Sequence, residues 1–180
     1  LAGPGSGKTT VITKRVENLI RHGINPVNIL VITFTKAAAK EMKERFYRLM
    51  DGGTLAYRYV TFGTFHAVFF TILKHAYNLS AENIIREEER YSIVKAAVGK
   101  YELDIEDERE FVANVLGEIA RVKSERILIQ NYYSTNCPAD VFRKIYDEYN
   151  AKLKSSRKLD FEDMLGYTYE LLTQRRDILA

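Results

Sequence analysis

Residues 1–10, LAGPGSGKTT, constrain this chain more than any other stretch. Gly3, Gly5 and Gly7 alternate with Pro4 and Ser6 and run directly into Lys8, Thr9 and Thr10. Glycines at that spacing let a backbone bend until several N–H groups point inward at one anion, and a helix starting behind them adds the positive end of its dipole. The series AGPGSGKT fits the phosphate-loop pattern, with Ala2 in the first position instead of glycine. In such a loop Lys8 lies between the β- and γ-phosphates, and Thr9 ligates Mg²⁺ through its hydroxyl. A simple tight turn would need neither lysine nor threonine there. The loop grips phosphates and leaves the base unread, so by itself it does not name the nucleotide.

Residues 8–77 fit a parallel α/β fold. Val11, Ile12, Val16, Leu19 and Ile20 recur at helical spacing up to His22, and Gly23 offers a left-handed stop. The run ILVITF, 29–34, is apolar and β-branched, as in a strand buried on both faces. Thr35 can cap a helix over 36–50 that ends at Asp51-Gly52-Gly53. A second strand is expected over 57–62 (YRYVTF), then an aromatic-rich helix over 65–77. Loop, helix, strand, helix, strand, helix implies parallel strands covered by helices.

From Asn78 to Lys158 the pattern changes to amphipathic helices near 81–100, 107–125 and 138–156, with Ser80 and Asp107 as caps and Pro138 suited to a first helical position. KSSRKLD, 154–160, is expected to be a hinge, and Asp160 to cap a last helix over 161–174. The expected organisation is therefore a first part at 1–77, a helical insertion at 78–158 and a return segment at 159–180.

Composition narrows the setting more than the activity. The chain of 180 residues is 46% hydrophobic with a net charge of +3, which permits a nucleic-acid partner without requiring one. Its single cysteine, Cys137, cannot form an internal disulfide, no zinc-ligand spacing exists, and neither a signal-peptide pattern nor a bilayer-length apolar run is present. A reducing, cytoplasmic setting away from membranes is expected. Only Leu1 and Ala2 precede the glycines, so the strand that normally feeds such a loop is expected upstream, and the chain to be a fragment.

Phosphate loops serve many unrelated functions, so three further segments have to narrow the choice: TFTKAAAKEMKERF at 33–46, GTFHAVFFTIL at 63–73 and LDFEDML at 159–165. With the glycine loop, in this order and spacing, they resemble the first RecA-like domain of superfamily 1 DNA helicases of the UvrD, PcrA and Rep family. The resemblance implies an incomplete RecA-like phosphate-loop NTPase domain carrying an all-helical insertion. It further implies ATP with Mg²⁺ as cofactors, and a parent enzyme that moves 3′ to 5′ along single-stranded DNA and unwinds duplex at junctions. Gly3, Pro4, Gly5, Ser6, Gly7, Lys8, Thr9 and Thr10 would hold the nucleotide, Lys8 and Thr9 with a catalytic role and Thr9 on the metal. Thr33, Phe34, Thr35 and Lys36, with Thr64 and His66, would contact DNA. An aromatic face at a strand end can stack on a base without reading it, although a strand phenylalanine is as often a core residue. A helix start beside Thr64 and His66 suits a DNA phosphate.

The chain also departs from the family pattern. Lys36 and Ala37 stand where the family writes asparagine and lysine, so the positive charge sits one position early, about 100° around the helix. Thr10 stands where many relatives have arginine. The first departure makes a helicase-nuclease subunit of AddA or RecB type the nearest alternative reading. A phosphate-loop kinase would account for LAGPGSGKTT but for none of the other three segments; a non-catalytic nucleotide-dependent binding module is a third possibility. Asp160, Glu162 and Asp163 are expected to be structural, because acidic residues at a helix start cap free N–H groups. The family's Asp-Glu strand, adenine-reading segment and arginine finger are not among these residues, so this piece alone is expected to be inactive. Unpaired sheet edges would invite truncation-driven self-association.

Overall fold

Residues 7–50 and 55–175, which the computed structural model describes, form a mostly helical α/β structure with a short two-stranded parallel sheet. The chain divides into two compact units, residues 1–68 and 69–180.

In the first unit α1 (Lys8–Arg21) begins at Gly7, whose φ of 77° is left-handed and costs a side-chain-bearing residue strain. The helix ends at a second such glycine, Gly23 (φ 86°), with Gly23 and Ile24 amides donating back to the Ile20 and Leu19 carbonyls. After a 3₁₀ turn at Pro26–Asn28, β1 (Leu30–Thr33) leads to α2 (Lys36–Leu49), and β2 (Thr61–Thr64) leads to α3 (Phe65–Tyr77). The strands pair in parallel, with Leu30 opposite Thr61 and Thr33 opposite Thr64. Val16 of α1, Phe46 of α2, Val31 of β1, Ile29 and Val60 form the core of this unit.

Two expectations about the strands need correction. The second strand lies at 61–64 and not 57–62, because Leu55–Tyr59 winds into a 3₁₀ turn. A ladder exists only where both chains are extended, and the segment that would face 57–59 is itself the 3₁₀ turn at Pro26–Asn28. The first strand is buried on one face, not two: Val31 packs into the core whereas Leu30 is 46% exposed. Alternate side chains of a strand point to opposite faces, and α1 and α2 cover only one of them. The stop expected at Asp51-Gly52-Gly53 lies outside the described residues.

The second unit is built from α4 (Glu87–Val98), α5 (Glu108–Ser124), α6 (Ala139–Ser155) and α7 (Phe161–Gln174), with the greater part of α3. Val94, Val112, Ile119, Phe142, Ile145 and Tyr149 are fully buried in its main cluster. A smaller cluster joins Leu73 of α3 to Leu159, Met164 and Leu171. Asp107 caps α5 as expected, accepting from the Arg109 and Glu110 amides, while Pro138 stands just outside α6 and not at its first position. The expected hinge at 154–160 is tied down. Leu159 donates to the Asn83 carbonyl, Asn83 Nδ2 donates to the Arg157 carbonyl, and Ile85 donates to the Leu159 carbonyl. Backbone bridging between Ile84 and Leu159 replaces the freedom that its serines and lysines suggest.

Beneath that connector the acidic segment meets buried cations. Asp160 Oδ1 accepts from the Asp163 amide (2.8 Å) in a capping box. Lys123, from the last turn of α5, donates to Asp160 Oδ2 (2.6 Å) and Asp163 Oδ1 (2.9 Å), and the Tyr149 hydroxyl donates to Asp160 at 3.1 Å. Arg90 of α4 donates to that tyrosine oxygen (3.2 Å) and faces Glu162 at 3.8 Å. Burial would lower the Lys123 ammonium, but the two carboxylates reverse this and raise it above the ordinary lysine range. Burial would likewise raise Asp160, yet Lys123 holds it below the ordinary range; burial and the Asp160 charge push Asp163 up. The structural reading of these acids stands for Asp160 and Asp163. Removing one partner from a buried pair leaves an uncompensated charge, so Lys123→Met is expected to destabilise this unit by about 3 to 5 kcal/mol. The check is the midpoint of urea unfolding, which should fall without a change in slope.

Candidate nucleic-acid and nucleotide interface

Two features of the first unit bear on function. The earlier in sequence is the start of α1. Gly7 supplies no side-chain cap, and the first helical turn, Lys8-Thr9-Thr10-Val11, contains no acidic residue. Helix starts usually carry an acid or a hydroxyl cap to satisfy free N–H groups. Among the described residues no acid or side-chain cap offsets the positive end of this helix dipole. Thr13, 1% exposed, donates its hydroxyl to the Thr9 and Thr10 carbonyls and so fixes the first turn from inside. Thr9 is half-buried and Thr10 exposed. Gly3, Pro4, Gly5 and Ser6 lie outside the described residues; Lys8 is described as the first residue of α1.

The other feature is the carboxyl edge of the sheet. Parallel pairing sends both strands out on one edge, where open α/β sheets bind ligands. β1 ends in Thr33-Phe34-Thr35-Lys36 and β2 in Thr64-Phe65-His66. Since Thr33 is the register partner of Thr64, the two expected DNA-contacting segments emerge side by side. The Thr35 hydroxyl accepts from the Ala38 amide (3.1 Å) and the Thr64 hydroxyl from the Ala67 amide (3.2 Å), so each strand turns into its helix through a threonine cap. Thr64 is 8% exposed, which makes it chiefly a cap. Thr33 and His66 are half-buried, and Thr35 and Lys36 exposed.

Phe34 decides between the two readings of this segment. It is 87% exposed, so it is no core residue, and its ring lies 5.2 Å from that of Phe65 at a 43° tilt. An apolar ring in water with an aromatic neighbour is shaped to receive another flat apolar surface.

Comparison with known sequences gives the family. The model of the UvrD/REP helicase N-terminal domain matches residues 1–180. The chain belongs to that family. It is 37% identical to DNA helicase II of Rickettsia typhi over 99% of the chain and 28% of that protein. It is 32% identical to the ATP-dependent DNA helicase SRS2 of Saccharomyces cerevisiae over 98% of the chain and 17% of that protein. Against the ATP-dependent DNA helicase PcrA of Leuconostoc citreum the identity is 31% over the whole chain, which is 24% of that protein. The chain thus spans about a quarter or less of the length of several of the curated relatives it matches.

Within this UvrD/REP N-terminal domain the other candidate side chains behave simply. His22 and His75 bond back to the Asn18 and Thr71 carbonyls of their own helices, as structural histidines do. Lys158 pairs with Glu89 at 3.5 Å, and Lys152, Lys154 and Arg157 are exposed. Among the described residues no group of three or more histidine, cysteine, aspartate or glutamate side chains could hold a metal ion, and no helix is long and apolar enough to cross a membrane. Sequence reasoning missed Phe65 as the ring beside Phe34. The signal was available: Thr-Phe recurs at 33–34 and 64–65, at the ends of both strands.

The αL backbone at Gly7 generates a prediction. Alanine there carries about 1 to 2 kcal/mol of strain, which the loop sheds by relaxing and binding must restore. Gly7→Ala is expected to weaken a fluorescent nucleoside triphosphate analogue by about five- to thirtyfold. Gly23→Ala, strained equally at the other end of α1, should lower stability and leave that affinity near the parent value.

Proposed function

We propose that the chain is the ATP-binding N-terminal part of a 3′–5′ DNA helicase or translocase that couples ATP hydrolysis to movement on single-stranded DNA and to unwinding at single-strand/duplex junctions. On this reading residues 1–77 and 159–180 belong to a RecA-like ATPase domain, residues 78–158 are a helical insertion, and the protein works in the cytoplasm. The names of the relatives, ATP-dependent DNA helicases among them, support the activity class. The observation that carries the assignment to a DNA track is Phe34, fully presented at the carboxyl edge of the sheet beside Lys36 and the second Thr-Phe turn.

Each residue then has a task. The loop through Gly7 and the start of α1 bind the triphosphate, with Lys8 on its terminal phosphates. Mg²⁺, when bound, neutralises charge on the β- and γ-phosphate oxygens. Thr9 fits that ion in chemistry, since its hydroxyl oxygen is a hard donor on the half-buried first turn of α1. Phe34 stacks on a base, which is indifferent to sequence because every base has a π-face. Lys36, Thr35 and the start of α3 at Thr64 and His66 take backbone phosphate.

Anisotropy titration of a fluorescein-labelled oligothymidylate tests this. Binding should be indifferent to base composition and weaken steeply with added salt. Phe34→Ala should lower affinity by about five- to a hundredfold, from the roughly 1 to 3 kcal/mol that one stacked base contributes. Affinity unchanged by that substitution, or absent at low salt, overturns the assignment of the DNA track to this edge of the sheet.

A further inference from the structure

The ring beside Phe34 has a role of its own. We propose that Phe65 is a positioning residue for single-stranded DNA: it holds the Phe34 ring at the angle at which a base stacks, without itself being the stacking surface. This rests on the reading of Phe34 given above and extends it to a residue outside the expected contacts.

Three observations carry it. The two rings touch, with centroids 5.2 Å apart and planes tilted by 43°, within the range aromatic pairs prefer over a face-to-face sandwich. A tilted neighbour engages one side of the Phe34 ring and leaves the other for a ligand. Next, their exposures are unequal. Phe34 is 87% exposed, whereas Phe65 is half-buried, so one ring is presented and the other embedded. Finally, both are anchored at the backbone by the same device. Thr33 and Thr64 are register partners, Thr35 caps α2 directly after Phe34, and Thr64 caps α3 directly before Phe65. The strand ladder and two caps therefore fix where each ring begins, and the ring contact fixes where the exposed one points.

The energetic consequence concerns entropy. A lone phenylalanine projecting into water populates several rotamers and loses that freedom when a base stacks on it. A ring held in advance binds without that loss, which is how preorganisation raises affinity. Removing the neighbour should cost affinity by about two- to tenfold, the scale of one aromatic pair.

A double-mutant cycle on the 180-residue chain tests the idea, using labelled oligothymidylate of about 16 nucleotides as the probe. Phe65→Ala and Phe65→Leu should each weaken binding by about two- to tenfold, while Phe65→Tyr, which keeps the ring, should bind like the parent. In a Phe34→Ala background Phe65→Ala should have no further effect, because its action passes through the missing ring. Affinity for a fluorescent ATP analogue and the urea midpoint, read on the same proteins, show whether the fold and the nucleotide loop are intact. Additive losses would overturn the proposal by making Phe65 an independent contact. So would a Phe65→Leu protein that is folded and binds like the parent. If Phe34→Ala alone has no effect on DNA affinity, the assignment of the track falls, and this inference with it.

Discussion

The parallel pairing of β1 with β2, in the register that sets Thr33 against Thr64, is the constraint on which the candidate interface depends. Antiparallel strands would send their ends to opposite edges; parallel strands must leave by the same one and need a crossover helix between them. α2 is that crossover. Once register is set, Phe34 and Phe65 are neighbours by geometry, and neither segment has to fold independently to find the other. A slip of one residue would turn every side chain of a strand to the opposite face. Val31 in the core on one side of β1 guards against that slip, and its burial beside Phe46 is thus part of what positions an aromatic ring in water.

The second unit solves a different problem by a costlier interaction. Its helices enclose an apolar core, yet Lys123, Asp160, Asp163, Tyr149 and Arg90 form a polar network at its edge. Hydrophobic residues of the same volume would often be at least as stabilising, so such a network is weak evidence for stability alone. What it does supply is direction. Asp160 caps α7, receives Lys123 from α5 and Tyr149 from α6, and through Tyr149 is joined to Arg90 of α4. Few other placements of α7 would satisfy all of these donors together. The connector before it, rich in serine and lysine, is pinned separately, by bonds that join Leu159 and Arg157 to Asn83 and Ile85.

Local chemistry was legible in the sequence, and partners across long separations were not. Gly23, Thr35, Asp107 and Asp160 were readable as helix stops and caps because each acts on amides or carbonyls within a few residues. The second strand was misplaced by a few residues because a strand's limits belong to its partner, and Tyr57-Arg58-Tyr59 has strand composition but a 3₁₀ turn opposite it. Arg90 stands in the charged run REEER, 86–90, whose composition suits a solvated face, yet its side chain is only 12% exposed against Tyr149 and Glu162. Nothing within four residues of Arg90 or Lys123 announces partners 59 and 37 positions away. Phe34 was balanced between core and surface for a related cause. Strand composition does not say how many faces of a strand are covered, and here α1 and α2 cover one.

Lys36 shows how a departure from a family pattern can be weighed physically. It is the first residue of α2, in a first turn that contains no acid, and it is exposed. A cation at a helix N-terminus opposes the dipole, at a cost of about 0.3 to 1 kcal/mol. Helix stability therefore cannot be the reason for a lysine at this position, and core packing cannot be either, since the side chain is in water. What remains is what the charge can reach. It stands two residues after the presented ring of Phe34, beside the free amides that Thr35 only partly satisfies. Cation and amides favour an anion at the same place, and on the reading proposed above a base stacked on Phe34 would bring its phosphate there. The charge displaced by one position is thus consistent with the strand-edge reading.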